Sequence, residues 1–242
     1  MLQAASLWAI IPARGGSKRL KRKNLLTLAG QSLIARAVKT ALASGCFSRV
    51  LVSTDDVEIA DEARRAGAEV PFMRPTELAG DAASSVDVLL HAVETLAKSS
   101  PAPEIVALIQ TTSPLLKPTH VREAVELFNR SGFVSLSSMK MVSQQPEWMF
   151  RVDQNTGLAS PESPAGIVAA SALLPRRFIE NGAIYLVQRS WLLEERSLYN
   201  FTHHGCYTMS EADSIDIDTG EDFVRAEFEI SRHLQQDQRR GS

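Results

Sequence analysis

Cysteine is scarce in this 242-residue chain: Cys46 and Cys206 are the only two, and no CxxC pair occurs. That argues against a disulfide framework or a zinc site and leaves two reduced thiols of a cytoplasmic protein as the expectation. Net charge is also small, −2, with a pI near 6.2. The chain as a whole therefore has no bulk attraction for nucleic acid or a membrane surface. No apolar run approaches the length that spans a bilayer, and the N-terminal apolar stretch is cut by Pro12 and Arg14 without a basic segment before it. Neither a transmembrane helix nor a signal peptide is expected. Repeats and low-complexity tracts are missing too. Histidines are few, and the pair His203-His204 has no further ligand at metal spacing, so it reads as a surface loop.

Against that low net charge, one stretch stands out. Leu7–Ala13 is a continuous apolar run, as in a strand buried on both faces, and it ends in ARGGSKRLKRKN. Arg14, Lys18, Arg19, Lys21, Arg22 and Lys23 crowd there around the adjacent glycines Gly15 and Gly16. A glycine turn between strand and helix, flanked by cations, suits phosphate: the backbone approaches the anion and Lys and Arg neutralise it. Ser17, Lys18 and Lys23 are the candidate phosphate contacts. The glycine spacing fits neither the P-loop nor the dinucleotide fingerprint.

The rest alternates. Helical spacing covers Leu33–Leu42, with Gly45 at the C-cap position, then Val57–Ala66 behind a capping Asp55 or Asp56, then Val86–Ala97 behind Ser84 or Ser85, then Pro118–Arg130. Strands are expected at Arg49–Thr54, Glu69–Phe72, Glu104–Gln110, Phe133–Ser137 and Gly182–Gln188, with Cys206–Met209 as an edge. Lys140–Arg177 carries four prolines and reads as an insertion of irregular or β character. A short helix is expected around Trp191–Arg196 and a last one over Glu221–Leu234, before a disordered tail QQDQRRGS. Such alternation predicts an α/β, doubly wound, mainly parallel sheet, a Rossmann-like arrangement in one domain. In such sheets ligands bind beyond the carboxyl ends of the strands, where the polar segments 14–24, 53–56, 74–85 and 110–113 would converge. In Ile215-Asp216-Ile217-Asp218, strand alternation puts both aspartates on one face, able to hold a divalent cation.

In order along the chain, IIPARGGSK with RKN, RPTELAGDAASSVDVLLHA, LIQTTSPL, NGAIYL and SIDIDTGEDF resemble the motifs of the CMP-sialic acid synthetases, the acylneuraminate cytidylyltransferases. The resemblance runs from Ala9 to about Glu227. It implies a nucleotidyltransferase fold that couples CTP to a nonulosonic acid and releases pyrophosphate. The nearest alternatives are the same chemistry on a legionaminic, pseudaminic or Kdo-type acid, and a non-catalytic sugar-nucleotide-binding module. The resemblance further implies Arg14 and Lys23 as stabilisers of phosphate charge, and Gly15, Gly16, Ser17, Lys18, Asn24, Arg74 and Ser85 as nucleotide contacts. It assigns Gln110, Asn181 and Tyr185 to the sugar, and Asp216 and Asp218 to Mg²⁺ (Mn²⁺ being the other candidate), with Asp218 or a water as base. A homodimer is implied as well, built on a lobe at approximately 139–180 where Trp148, Met149 and Phe150 suit an interface.

Three departures from that pattern are visible. Arg19-Leu20-Lys21 alters the middle of the basic loop. Gln144-Gln145-Pro146 stands where H-H-P is usual. Ser171 replaces an arginine that contacts the sugar; Arg176 or Arg177 would be its substitute, or else a solvated pair.

Overall fold

The structure is a computed structural model that describes residues 7–80, 82–98, 100–162 and 174–240. Leu7–Pro12 forms β1, followed by the basic loop and a single 3-10 turn, Lys23–Leu25. A two-stranded hairpin, β2 (Thr27–Leu28) and β3 (Gln31–Ser32), leads into α1 (Leu33–Ser44), capped by the Ser32 side chain and closed by Gly45. Then come β4 (Arg49–Ser53), α2 (Val57–Arg65), α3 (Ser85–Ala97), β5 (Ile105–Ile109), α4 (Pro118–Ser131) and β6 (Ser135–Met141). The small ribbon of β7 (Phe150–Val152) and β8 (Ala159–Pro161) stands apart. The long strand β9 (Phe178–Gln188), α5 (Arg189–Glu195), β10 (His204–Thr208) and α6 (Gly220–Arg240) complete the chain.

The main sheet has the order β10-β6-β9-β5-β1-β4. β4, β1 and β5 pair in parallel, as do β6 and β10, while β9 runs antiparallel to both neighbours. Residues of β1 divide by parity between two cores. Ala9 and Ile11 pack with α1, α2 and α4, whereas Trp8 and Ile10 pack with α3 and α5. Burial on both faces explains why the strand reads as one apolar run rather than an alternation.

Several expectations change. Glu69–Phe72 is not a strand: only Glu69 bridges Leu51, and Pro71, lacking an N–H, cannot extend the ladder. β6 and β9 are longer than their apolar cores suggest, so the described residues between them are 142–162 and 174–177; 163–173, including Ser171, lie outside the described residues. α6 continues to Arg240 where a disordered tail was expected; Gly241 and Ser242 lie outside the described residues. His204 is not a loop residue. It opens β10, half-buried, with its ring nitrogens 2.7 Å and 3.0 Å from the hydroxyls of Ser135 and Ser137. Ile215–Asp218 joins no sheet, yet its alternation survives: Ile215 and Ile217 are buried with Leu28, Leu33, Leu115 and the apolar face of α6, and Asp216 and Asp218 face outward.

Candidate active site

The chain reverses direction across the sheet between β1 and β5, and there the expected cleft lies. Asn24 stitches the two strand ends together. Its Nδ2 donates to the Arg14 carbonyl at 2.9 Å, and its Oδ1 accepts from the Thr111 hydroxyl at 2.6 Å. Buried and held from both sides, Asn24 fixes the basic loop in place rather than simply facing a ligand.

The two glycines differ. Gly15 donates its N–H to Asp55 Oδ1 at 3.0 Å, and a Cβ there would sit 2.8 Å from Asp56 Oδ2 and 3.0 Å from Asp56 Cβ. Asp56 is fixed because it caps α2, accepting from the N–H groups of Glu58 and Ile59. Gly15 is therefore required by the aspartates after β4, while Gly16 has open space around it. Ser17 closes a tight turn by donating its N–H to the Gly15 carbonyl. A cleft of about 400 Å³ opens beside it, lined by Arg14, Ser17, Lys18, Lys23 and Asp218.

Lys23 crosses this cleft. Its Nζ donates to the Ile217 carbonyl at 2.7 Å and to Asp218 Oδ1 at 3.2 Å. Arg19 reaches the other oxygen, Oδ2, at 3.2 Å. Asp216, two residues back, faces a different cavity. Desolvation raises its pKa above the usual carboxylate range, a hydrogen bond from Thr112 opposes this, and the like charge of Asp218 raises it further. Two carboxylates held close enough to repel are a donor set that fits a hard divalent cation, with phosphate oxygens and water completing the shell. Asp222, in the first turn of α6, accepts from the Asp218 and Thr219 N–H groups at 3.1 and 2.8 Å and so fixes the aspartate segment.

A second cleft of about 240 Å³ continues from Arg14 along the ends of β1 and β5, past Arg74, Ser84, Ser85 and Gln110. Ser84, not Ser85, caps α3. Arg74 is buried: its Nε donates to Ser53 Oγ at 3.1 Å and its Nη2 to the Ser53 carbonyl. Desolvation lowers its pKa to about 10, with Asp55 opposing. Much of its guanidinium is thus spent on anchoring the loop that walls the cleft.

Gln110 belongs also to a third cleft, about 440 Å³, with Glu180, Tyr185, Asp216, Lys140 and Arg225 on its walls. It exists because β9 is antiparallel, which brings its N-terminal half to the carboxyl edge of β5 and β6. A register shift near Ser137–Met139 accompanies a left-handed φ of 76° at Gly182. A Cβ there would lie at ordinary contact distance from Gln110 Oε1 and Asp216 Oδ2, so the residue type is set by conformation. Asn181 lines the cleft but is heavily committed: Oδ1 accepts from Ser138 Oγ and Nδ2 donates to Ser214 Oγ at 2.9 Å. Tyr185 and Tyr199 both donate to Glu180 Oε2, at 3.3 and 2.9 Å, and burial pushes both phenols up, Tyr199 to about 12.

Apart from Gly15 and Gly16, which line none of them, the expected residues fall into three joined clefts, with Arg14 common to the first two and Gln110 to the last two. Arg176 and Arg177 do not line any of them. Arg177 is ion-paired with Glu147, and Arg176 lines a separate apolar cavity beside Phe178. Sequence reasoning did not single out Glu180, Asp222, Lys140 or Arg225 and did not pair Arg19 with Asp218. The spacing of Asp222 and Arg225, one helical turn apart, was the available signal for Arg225.

An α/β sheet whose switch point carries a cation-lined cleft beside a pair of aspartates has the framework of a nucleotidyltransferase. The chain belongs to the cytidylyltransferase family, whose model matches residues 8–236. It is 35% identical over 90% of its length to the CMP-N,N′-diacetyllegionaminic acid synthase of Legionella pneumophila, covering 94% of that protein. It is 32% identical, with the same coverage of each chain, to a pseudaminic acid cytidylyltransferase of Campylobacter jejuni. It is also 31% identical over 96% of its length to the N-acylneuraminate cytidylyltransferase of Escherichia coli, covering 52% of that longer protein. Among solved structures, a CMP:2-keto-3-deoxy-manno-octonic acid synthetase complexed with CTP superposes with a TM-score of 0.68 at 19% identity, over 94% of this chain and 99% of the other.

Proposed function

We propose that this protein couples CTP to an N-acylneuraminate-like nonulosonic acid, giving the CMP-sugar and pyrophosphate. The observation that carries this is the division of the aspartate pair: Asp218 lines the cationic phosphate cleft and Asp216 the cleft beyond Gln110. A nucleotide on one side and an acceptor on the other would meet between them.

In that arrangement the anomeric hydroxyl attacks the α-phosphorus in line. The O–P bond forms as the bond to the β-phosphate oxygen breaks, and pyrophosphate departs into the cleft of Arg14, Ser17, Lys18 and Lys23. Chemistry of this kind depends on positioning and charge neutralisation. Arg14 and Lys23 would meet the charge that develops on the leaving group. Asp216 and Asp218 would hold Mg²⁺, which when bound supplies Lewis-acid neutralisation at the phosphates. The resemblance implies Asp218 or a water as the base that takes the hydroxyl proton; Asp216 is the carboxylate that lines the acceptor side.

The 35% relative named for a legionaminic acid favours that sugar as the second reading. We also propose a cytoplasmic homodimer; among the described residues no helix is long and apolar enough to cross a membrane. The exposed apolar side chains Trp148, Met149, Phe150, Val152, Phe178 and Ile179 support the interface reading. The test is pyrophosphate release with CTP and Mg²⁺ across N-acetylneuraminic, N,N′-diacetyllegionaminic, pseudaminic and Kdo acids, with light scattering for the oligomer. No release with any acid overturns the proposal.

A further inference from the structure

We infer that Lys140 and Arg225 together read the carboxylate of the sugar acid. This rests on the proposed reaction and deepens it. Lys140 lies on β6 and Arg225 on α6, yet both reach one atom, Glu211 Oε1, at 3.1 and 3.6 Å. Among the described residues they are the two cations lining the third cleft, whose other ionisable walls include Glu180, Asp216 and Asp222. A substrate carboxylate brought near those acids meets like charge, so the cationic corner is where it is attracted.

Connectivity within the substrate strengthens the assignment. In a 2-keto sugar acid the carboxylate and the reacting anomeric hydroxyl are attached to the same carbon. The group that reads the carboxylate must therefore lie close to the aspartates where the hydroxyl reacts. Arg225 meets this condition. It lies one helical turn from Asp222, the residue that accepts the Asp218 N–H, and its charge acts on Asp222. Arg176 and Arg177 do not meet it, since one lines a separate cavity and the other is paired with Glu147. Glu211, which lines the neighbouring cavity with Arg176, pairs with both cations and is itself half-exposed, so a substrate carboxylate can take its place between them.

The test compares the wild type with Lys140→Met/Arg225→Met, using N-acetylneuraminic and N,N′-diacetyllegionaminic acids and their carboxamides. The double variant is expected to raise the KM for the acid roughly 30-fold or more, as expected when a charge pair loses its cations, with the KM for CTP unchanged. It is also expected to lose the wild type's preference for acid over carboxamide. Lys140→Arg should restore part of the preference in the Arg225 background, and Arg176→Met should change neither constant. An unchanged KM or unchanged acid preference in the double variant overturns the inference, as does a loss confined to Arg176→Met. A wild type inactive on every acid would instead reject the proposed reaction. Saturation-transfer NMR of the same acids on wild type and double variant then decides the carboxylate contact separately, equal binding to both overturning it.

Discussion

Lys23 and Asp218 are 195 positions apart in the chain and 3.2 Å apart in space, and the lysine also holds the Ile217 carbonyl at 2.7 Å. One ammonium thus ties the loop that follows the first strand to the segment that precedes the last helix. Replacing it with Met should lower kcat about 100-fold or more, the usual scale for losing one preorganised charge-stabilising donor. Steady-state pyrophosphate release measures this. A variant within threefold of wild type would remove Lys23 from the charge-stabilising role.

Asp216 and Asp218 repel one another, and Asp216 is further disfavoured as a charge by desolvation. A divalent cation would relieve both effects. Mg²⁺ or Mn²⁺ is expected to raise the melting temperature of the wild type, since a ligand that binds only the folded state stabilises it. Asp216→Asn should raise the metal-free melting temperature and abolish the metal response. Differential scanning fluorimetry with and without metal checks both signs, and an undiminished metal response in Asp216→Asn argues against this site.

Asn24→Ala leaves the Thr111 hydroxyl and the Arg14 carbonyl without their buried partner. A loss of about 1–3 kcal/mol is expected from each stranded group. Urea unfolding should show it, together with weaker CTP binding because Arg14 loses its backbone tether.

Gly15→Ala and Gly16→Ala separate packing from simple loop flexibility. The first places a methyl against Asp56, a residue pinned by its capping bonds, and should displace the loop; the second enters open space. CTP affinity by calorimetry should fall for Gly15→Ala and change much less for Gly16→Ala. Equal effects would count against the role given to Asp56.

His204 has a pKa lowered by desolvation, with the nearby Glu180 charge opposing. Its folded pKa lies below the unfolded value of about 6.5. The stability it contributes is present above that value and is lost as pH falls through the folded pKa. Wild-type melting temperature should therefore drop more steeply between about pH 7 and 5 than that of His204→Gln. Parallel profiles would leave His204 out of the acid response.

The cationic side of the candidate site was legible because each of its parts is written locally: an apolar run, two glycines, a cation cluster, a serine or aspartate cap. β1, β4, β5 and the helices between them follow directly from such signals. The side proposed for the acceptor was not. Lys140 lies past the apolar part of β6, and Arg225 is one of several charges on an amphipathic helix, so nothing short of the register of β6 against β9 and the packing of α6 places them in one cleft. The same holds for Asn24 and Arg74. Their residue types suggest ligand contacts, and only burial with named partners shows how much of each is used to hold the walls. The sequence placed His204 in a loop for a related reason, since two serines across a strand pairing cannot be seen along the chain.

The antiparallel course of β9 has a further consequence. Gln110 and the base of the nucleotide cleft are fixed by parallel strands joined through helices, whereas Glu180–Gly182 arrives from the opposite direction, after the segment between β6 and β9. In the proposed reaction the two substrates would be gripped by parts of the chain that enter the sheet from opposite ends. Length or composition could then change in that segment while the proposed triphosphate grip stays as it is. Such an architecture allows one transfer chemistry to be fitted to a range of acceptors.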